Sequence, residues 1–161
     1  MIEPDWDLLP IVRKQIMFDV LEAVRDGDVV PIERNLADDV VYGSKVIQQY
    51  PDTGNLFSQM LESPQAVGKG EVQASLERVY AAFQILQYEV CSLLADGECA
   101  AARTKWRLKV REDESTLDGE SFQWWYFRGT KILRVDSLSI HLRRLLSIEA
   151  DSRFRLDQSG A

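Results

Sequence analysis

Residues 99–111 read Cys-Ala-Ala-Ala-Arg-Thr-Lys-Trp-Arg-Leu-Lys-Val-Arg, and they divide by parity. Arg103, Lys105, Arg107, Lys109 and Arg111 fall on one side; Thr104, Trp106, Leu108 and Val110 fall on the other. A period of two is the mark of a β-strand with two unlike faces. Composition alone puts the basic face outside, balanced by acidic neighbours across the sheet, and Trp106 and Leu108 in the core. The turn Ala95-Asp96-Gly97-Glu98 before the stretch makes it the second arm of a hairpin whose first arm is Leu86 to Leu94.

Working outward, a polar break at Glu112 to Gly119 precedes the aromatic run Phe122-Gln123-Trp124-Trp125-Tyr126-Phe127. The turn Arg128-Gly129-Thr130 joins that run to Ile132 through Ile140, giving four consecutive antiparallel strands. Upstream the period changes to that of helices. Leu9, Val12, Ile16, Val20 and Val24 recur at helical spacing, Arg13, Lys14, Gln15 and Glu22 take other directions, and Asp26-Gly27-Asp28 stops the pattern. A short second helix fits Pro31 to Leu36, and Val40-Val41-Tyr42 begins a first strand. Val72, Leu76, Val79, Tyr80 and Phe83 mark a further amphipathic helix. Between them, Lys45 to Gly70 holds Pro51, Gly54, Pro64, Gly68 and Gly70 and one or two helical turns at Leu56 to Leu61, the composition of a long, lid-like connection. Helices first and a meander last predict an α+β domain over residues 1–147, with a bent sheet wrapping the helices and a polar tail over 148–161.

The 161 residues are 45% hydrophobic and 28% charged, ordinary for a soluble domain that needs neither metal nor disulfides to fold. A formal charge of −7 repels phosphate backbones and anionic membranes, so neither nucleic acid nor a membrane is an expected partner. With an acidic N-terminus and no long apolar run, the expected location is cytoplasmic. In the hairpin, Cys91 and Cys99 are expected to face one another near the turn; a bridge is conceivable, and a reduced, buried pair is the stronger reading. No metal-ligand spacing and no phosphate-binding glycine loop occurs, and the sole histidine, His141, argues against Ser-His or Cys-His nucleophilic chemistry, so no cofactor is expected.

In order and character these segments resemble the nuclear transport factor two-like superfamily, and more closely its SnoaL-like branch. The residues that carry the resemblance are Arg25-Asp26-Gly27-Asp28, Leu36-Ala37-Asp38-Asp39-Val40-Val41, Leu94-Ala95-Asp96-Gly97-Glu98 with Ala101-Ala102-Arg103, and Gly129-Thr130-Lys131-Ile132. The resemblance covers Leu8 to Leu146. It implies a cone-shaped fold with a pocket between helices and curved sheet, commonly a homodimer through the sheet. One fold hosts many chemistries, so the residues must choose among them.

Ketosteroid isomerases of the superfamily use a carboxylate base, a tyrosine and a protonated aspartic acid; the matching positions here are about Ser44, Asp19 and Gln123, and serine is no base. Limonene epoxide hydrolases place Arg-x-Asp after the hairpin and an aspartate on the last strand; here the matches are Arg103-Thr104-Lys105 and about Ser137, which leaves one element of three. SnoaL-type cyclases use an aspartate supported by a histidine. Asp136 and His141 offer those groups, but five residues apart on one strand they fall on opposite faces.

The sequence thus leaves Asp19 and Asp136 as acid–base candidates. Asp19 earns its place by lying close in angle to Val12 and Ile16 on the first helix. Tyr42, Arg103, Lys105, Gln123 and Trp125 are the ligand-binding candidates, because the resemblance puts Tyr42, Gln123 and Trp125 on the pocket side and aims the arginine matched by Arg103 at the pocket. For both faces of the basic strand to be used, a bulge must switch it, with Arg103 and Lys105 at the pocket mouth and Lys109 and Arg111 solvated. Trp124 and Tyr126 then face outward, too apolar for open water, and predict a homodimer. The expected function is binding of a small, largely apolar organic molecule, with cofactor-free cyclase, isomerase, dehydratase or hydrolase chemistry as its catalytic form. The alternative is a non-catalytic association module working through the aromatic sheet face.

Overall fold

A computed structural model describes residues 8–48, 65–96 and 99–145. The chain runs α1 (Leu9–Asp26), α2 (Val29–Asn35), β1 (Leu36–Gln48), β2 (Ala66–Val67), α3 (Lys69–Ala82), β3 (Phe83–Asp96), β4 (Cys99–Val110), β5 (Thr116–Arg128) and β6 (Lys131–Leu145). The strands form one sheet in the order β2-β1-β6-β5-β4-β3, antiparallel except for the β1–β6 pair. The expected α+β order is found, with the helices on one face. Among the described residues no helix is long and apolar enough to cross a membrane. The helical turns expected at Leu56 to Leu61 and the tail over 148–161 lie outside the described residues, as does most of the lid-like connection.

Local chemistry sets the joints. Gly27 ends α1 in the left-handed conformation at φ 72°, donating to Val24 and Ala23 carbonyls with its successor, and the Asp28 carboxylate caps α2 by accepting from the Val30 amide. Both sides of Asp26-Gly27-Asp28 are thereby used. β5 starts at Thr116, earlier than the polar composition of 112–119 suggests, because Lys109, Arg107, Lys105 and Arg103 on β4 pair along Thr116, Asp118, Glu120 and Phe122.

The inner face, covered by the helices, carries Ala100, Ala102, Thr104, Trp106, Leu108 and Val110 of β4, all buried. It continues through Leu117, Ser121, Trp125 and Phe127 of β5 and Ile132 and Val135 of β6. Met17, Val20 and Leu21 of α1, Ile32 of α2 and Val72 of α3 close the main apolar cluster against it. A second cluster gathers Phe83, Trp106, Leu108, Val110 and Leu117 at the other end of β4.

Three expectations are corrected. First, α1 is rotated from its apolar stripe: Arg13 is buried, while Ile11 is 64% and Val12 41% exposed. The cause is nonlocal, since Arg13 Nε donates to the Gly129 carbonyl at 3.1 Å and its guanidinium lies 5.3 Å from the centre of the Phe127 ring. Second, Cys91 and Cys99 do not face one another. Cys99 pairs with Asp96, Cys91 sits at an irregularity between Val90 and Ser92, and both thiols are free and exposed rather than buried. Third, β4 shows no register shift against β5, so no bulge switches its faces.

Gly119 lies opposite Trp106, and a Cβ there would meet the indole at 2.2 Å and the Ile140 carbonyl at 2.7 Å. The tryptophan occupies the place a side chain would take. Gly119→Ala is therefore expected to lower stability by about 3 kcal/mol, whereas Gly70→Ala, in open space at the start of α3, leaves it unchanged or raises it by up to ~1 kcal/mol. Urea midpoints check both; equal midpoints for the two variants contradict this packing.

Candidate functional site

Beyond the main apolar cluster the inner face turns polar. The β1–β6 register sets Ser44 beside Ser137, and β6–β5 sets Ser137 beside Gln123 and Ser139 beside Ser121. β5–β4 then sets Ser121 beside Thr104 and Gly119 beside Trp106, while β4–β3 sets Thr104 beside Val90 and Trp106 beside Tyr88. Ser44, Thr104, Ser121, Ser137, Ser139 and His141 are all buried. Neighbouring strands lie about 4.8 Å apart, so these groups form one continuous patch.

A buried hydroxyl costs roughly 1–3 kcal/mol unless bonded, and here part of the patch is bonded internally. Trp106 Nε1 donates to Ser121 Oγ at 2.9 Å, and Ser121 and Ser139 hydroxyls share a 2.7 Å hydrogen bond. Tyr42 lies near the Ser44 and Ser137 hydroxyls and Tyr88 near that of Thr104, whose buried Oγ1 has no hydrogen-bond partner. Burial pushes both phenols above their ordinary pKa, and those hydroxyl contacts only partly oppose it, so both stay protonated through the physiological range. Nearer α1, Tyr80 donates to the Val24 carbonyl at 2.8 Å; burial, then the charge of Asp26, pushes it up to about 12. Gln123 Oε1 accepts from Trp125 Nε1 at 3.1 Å and carries the polar patch to the edge of the apolar cluster.

The opposite face is built on charge. Arg103 pairs with Glu120 at 3.0 Å, Arg107 with Asp118 at 2.6 Å, Lys109 with Glu114 at 3.1 Å and Arg134 with Asp136 at 3.0 Å. Toward the β3–β4 hairpin this face becomes apolar, with Leu94 68%, Trp124 43% and Tyr126 36% exposed. Phe122, Leu138 and Ile140 share the face. At this end the sheet is apolar on both faces, with Ala100, Ala102, Trp125 and Val135 inside.

The candidates read from sequence fall on both faces. Tyr42, Gln123 and Trp125 stand on the inner face and come together with the hydroxyl patch. Arg103 and Lys105 stand on the outer face, because β4 is regular and each points away from the buried Thr104 and Trp106; Arg103 pairs with Glu120 and lies over the Phe122 ring. Asp136 is also outer, opposite Trp124 and bound by Arg134, while His141 is fully buried on the inner side, so the two do not meet. Asp19 is exposed and accepts from Gln15 Nε2 at 2.8 Å, a consequence of the rotation of α1 that buries Arg13. Among the described residues no cluster of three His, Cys, Asp or Glu could hold a metal ion. Tyr88, Thr104, Ser121 and Ser139 escaped the sequence reading. The usable signal was the parity of Ser137, Ser139 and His141 against Leu138 and Ile140.

No family model matches the sequence, and no curated protein matches it. Solved structures do. A nuclear transport factor two-like protein from Burkholderia xenovorans aligns with a TM-score of 0.61 at 18% identity, over 81% of this chain and 90% of that one. An epoxide hydrolase of the limonene type from M. tuberculosis aligns at 0.59 and 13% identity, over 81% and 84%. A candidate SnoaL-like polyketide cyclase from Mesorhizobium loti aligns at 0.55 and 15% identity, over 76% and 95%. The chain therefore has the nuclear transport factor two-like fold, which SnoaL-like proteins share. At these identities the likeness is one of fold alone.

Ser121 is the centre of its small network, since it serves both Trp106 and Ser139. Ser121→Ala strands two buried donors and Ser139→Ala one, so the first is expected to cost more, by about 1 kcal/mol. Chemical denaturation of the two single variants measures the difference; equal costs contradict the assigned network.

Proposed function

We propose that this protein binds a small, largely apolar organic molecule between the helices and the inner face of its sheet. The observation that supports it best is the hydroxyl patch: Tyr42, Ser44, Ser137, Ser139, Ser121, Thr104 and Tyr88 occupy sheet positions that fold stability alone fills with apolar side chains. Main-cluster residues such as Val40, Trp125 and Val135 supply the apolar contact next to them. Pockets of this kind combine mostly hydrophobic walls with a few placed polar groups. A solved structure of like fold is described as an epoxide hydrolase and another as a candidate polyketide cyclase, which agrees with small-molecule work on such a scaffold.

The chemistry, where there is any, is cofactor-free and runs through the inner face. Asp19 and Asp136 are poorly placed for it. His141 is the inner-face group whose ordinary pKa suits proton transfer near neutrality, and Tyr42 and Tyr88 are hydrogen-bond donors elsewhere on that face. Nile red, a neutral polarity-sensitive dye, is expected to bind the wild type saturably with a blue-shifted emission, and Ser137→Phe, which fills the inner face, to abolish it. Saturable binding that is identical in the variant, or none in the wild type, contradicts the reading.

A second reading is favoured by the exposed Leu94, Trp124 and Tyr126. Their face supplies a homodimer contact through the sheet, with the ion pairs as a polar rim. Sedimentation is expected to show a dimer that Trp124→Asp converts to monomer; a monomeric wild type removes this reading.

A further inference from the structure

A strand at the border of a sheet exposes a row of backbone N–H and C=O groups that another strand can pair with. β3 is the last strand in the order β2-β1-β6-β5-β4-β3, and among the described residues no strand pairs with its other side. Over its 14 residues it carries no Pro, Lys or Arg, the residues that commonly keep other chains off such an edge. Irregularities at Ile85/Gln87 and Val90/Ser92 leave Gln87-Tyr88-Glu89-Val90 as a regular stretch in its middle. Gln87 and Glu89 stand opposite Arg107 and Lys105 and face outward; Tyr88 and Val90 stand opposite the buried Trp106 and Thr104, face inward and remain half-buried.

A strand that fits this edge needs apolar side chains at alternate positions, to cover Tyr88 and Val90, and a cationic one between them, to meet Glu89. Arg153-Phe154-Arg155-Leu156 has that pattern. It also lies within reach, because Leu145 of β6 stands in the row Leu145–Thr116–Lys109–Gln84, near the start of β3. Four strand spacings, about 19 Å, carry the chain past β3, and the step from Gln84 to Gln87 adds about 10 Å along it, a separation of about 22 Å. Extended, the chain from Leu145 to Arg153 spans up to ~27 Å. Arriving from that end, the segment runs in the same direction as β3.

We propose that residues 153–156 of the same chain add as a short parallel strand to the free edge of β3, with Phe154 beside Tyr88, Arg155 beside Glu89 and Leu156 beside Val90. Main-chain hydrogen bonds give an added strand its affinity, and the alternation of side chains gives it its register. The tether favours this occupant, since a linked strand docks at an effective concentration on the order of millimolar. The edge is thereby closed to other copies.

Hydrogen–deuterium exchange of the full chain, read by mass spectrometry, tests it. Peptides covering Gln87–Val90 are expected to exchange at least roughly tenfold faster in Phe154→Asp than in the wild type, while those covering Phe122–Phe127 of β5 keep their rate. Arg155→Glu is expected to give a smaller rise, roughly threefold, and Glu89→Arg placed on it to restore slow exchange. Equal rates at Gln87–Val90 in the wild type and Phe154→Asp overturn the proposal, as does a Glu89→Arg that fails to rescue. A parallel rise in β5 marks general destabilisation and overturns the assignment. Protection that appears only as protein concentration is raised gives the edge to a second copy and overturns it too.

Discussion

The strict alternation of β4 against β5 is the constraint from which the two faces of this protein follow. With no register shift between Cys99 and Lys109, every even residue of β4 is committed to the interior and every odd one to the exterior. The outward bases then meet Glu120 and Asp118 on the neighbouring strand, and Trp106 turns inward across Gly119 to donate to Ser121. Exposed pairs of this kind contribute little each, about 0–1 kcal/mol, so their role is to hold register rather than to supply stability. A slip of one residue would bury the four positive charges of β4.

That division relocates the chemistry. Arg103, Arg107, Lys109 and Arg134 pair with carboxylates on the outer surface, and the surface proposed for binding carries hydroxyls, an imidazole and an indole N–H. Such groups orient a ligand without repelling an apolar body. The same sheet presents apolar side chains on the outside near the hairpin, so a ligand on one face and a second copy on the other are compatible uses of one structure.

Much of the fold was legible because its signals are local. The parity of 99–111, the helical spacing of 9–24 and the Gly27 stop each depend on residues within a few positions of one another. The inward side of the aromatic strand was legible for the same reason. The failures share the opposite cause. Arg13 is buried by Gly129 and Phe127, more than a hundred residues away, and that contact turns Val12 and Asp19 outward. Cys91 and Cys99 are separated by the hairpin register, which sets Cys99 opposite Asp96, five positions from Cys91. The hydroxyl patch draws one or two residues from each of five strands, so it has no motif to be found by, only the inverted parity of Ser137, Ser139 and His141.

The most direct test is a crystal structure of the protein soaked with Nile red. The account predicts the dye on the inner face, against Trp125 and Val135. Density for the probe on the outer face, stacked on Trp124 with the inner face unchanged, would contradict it.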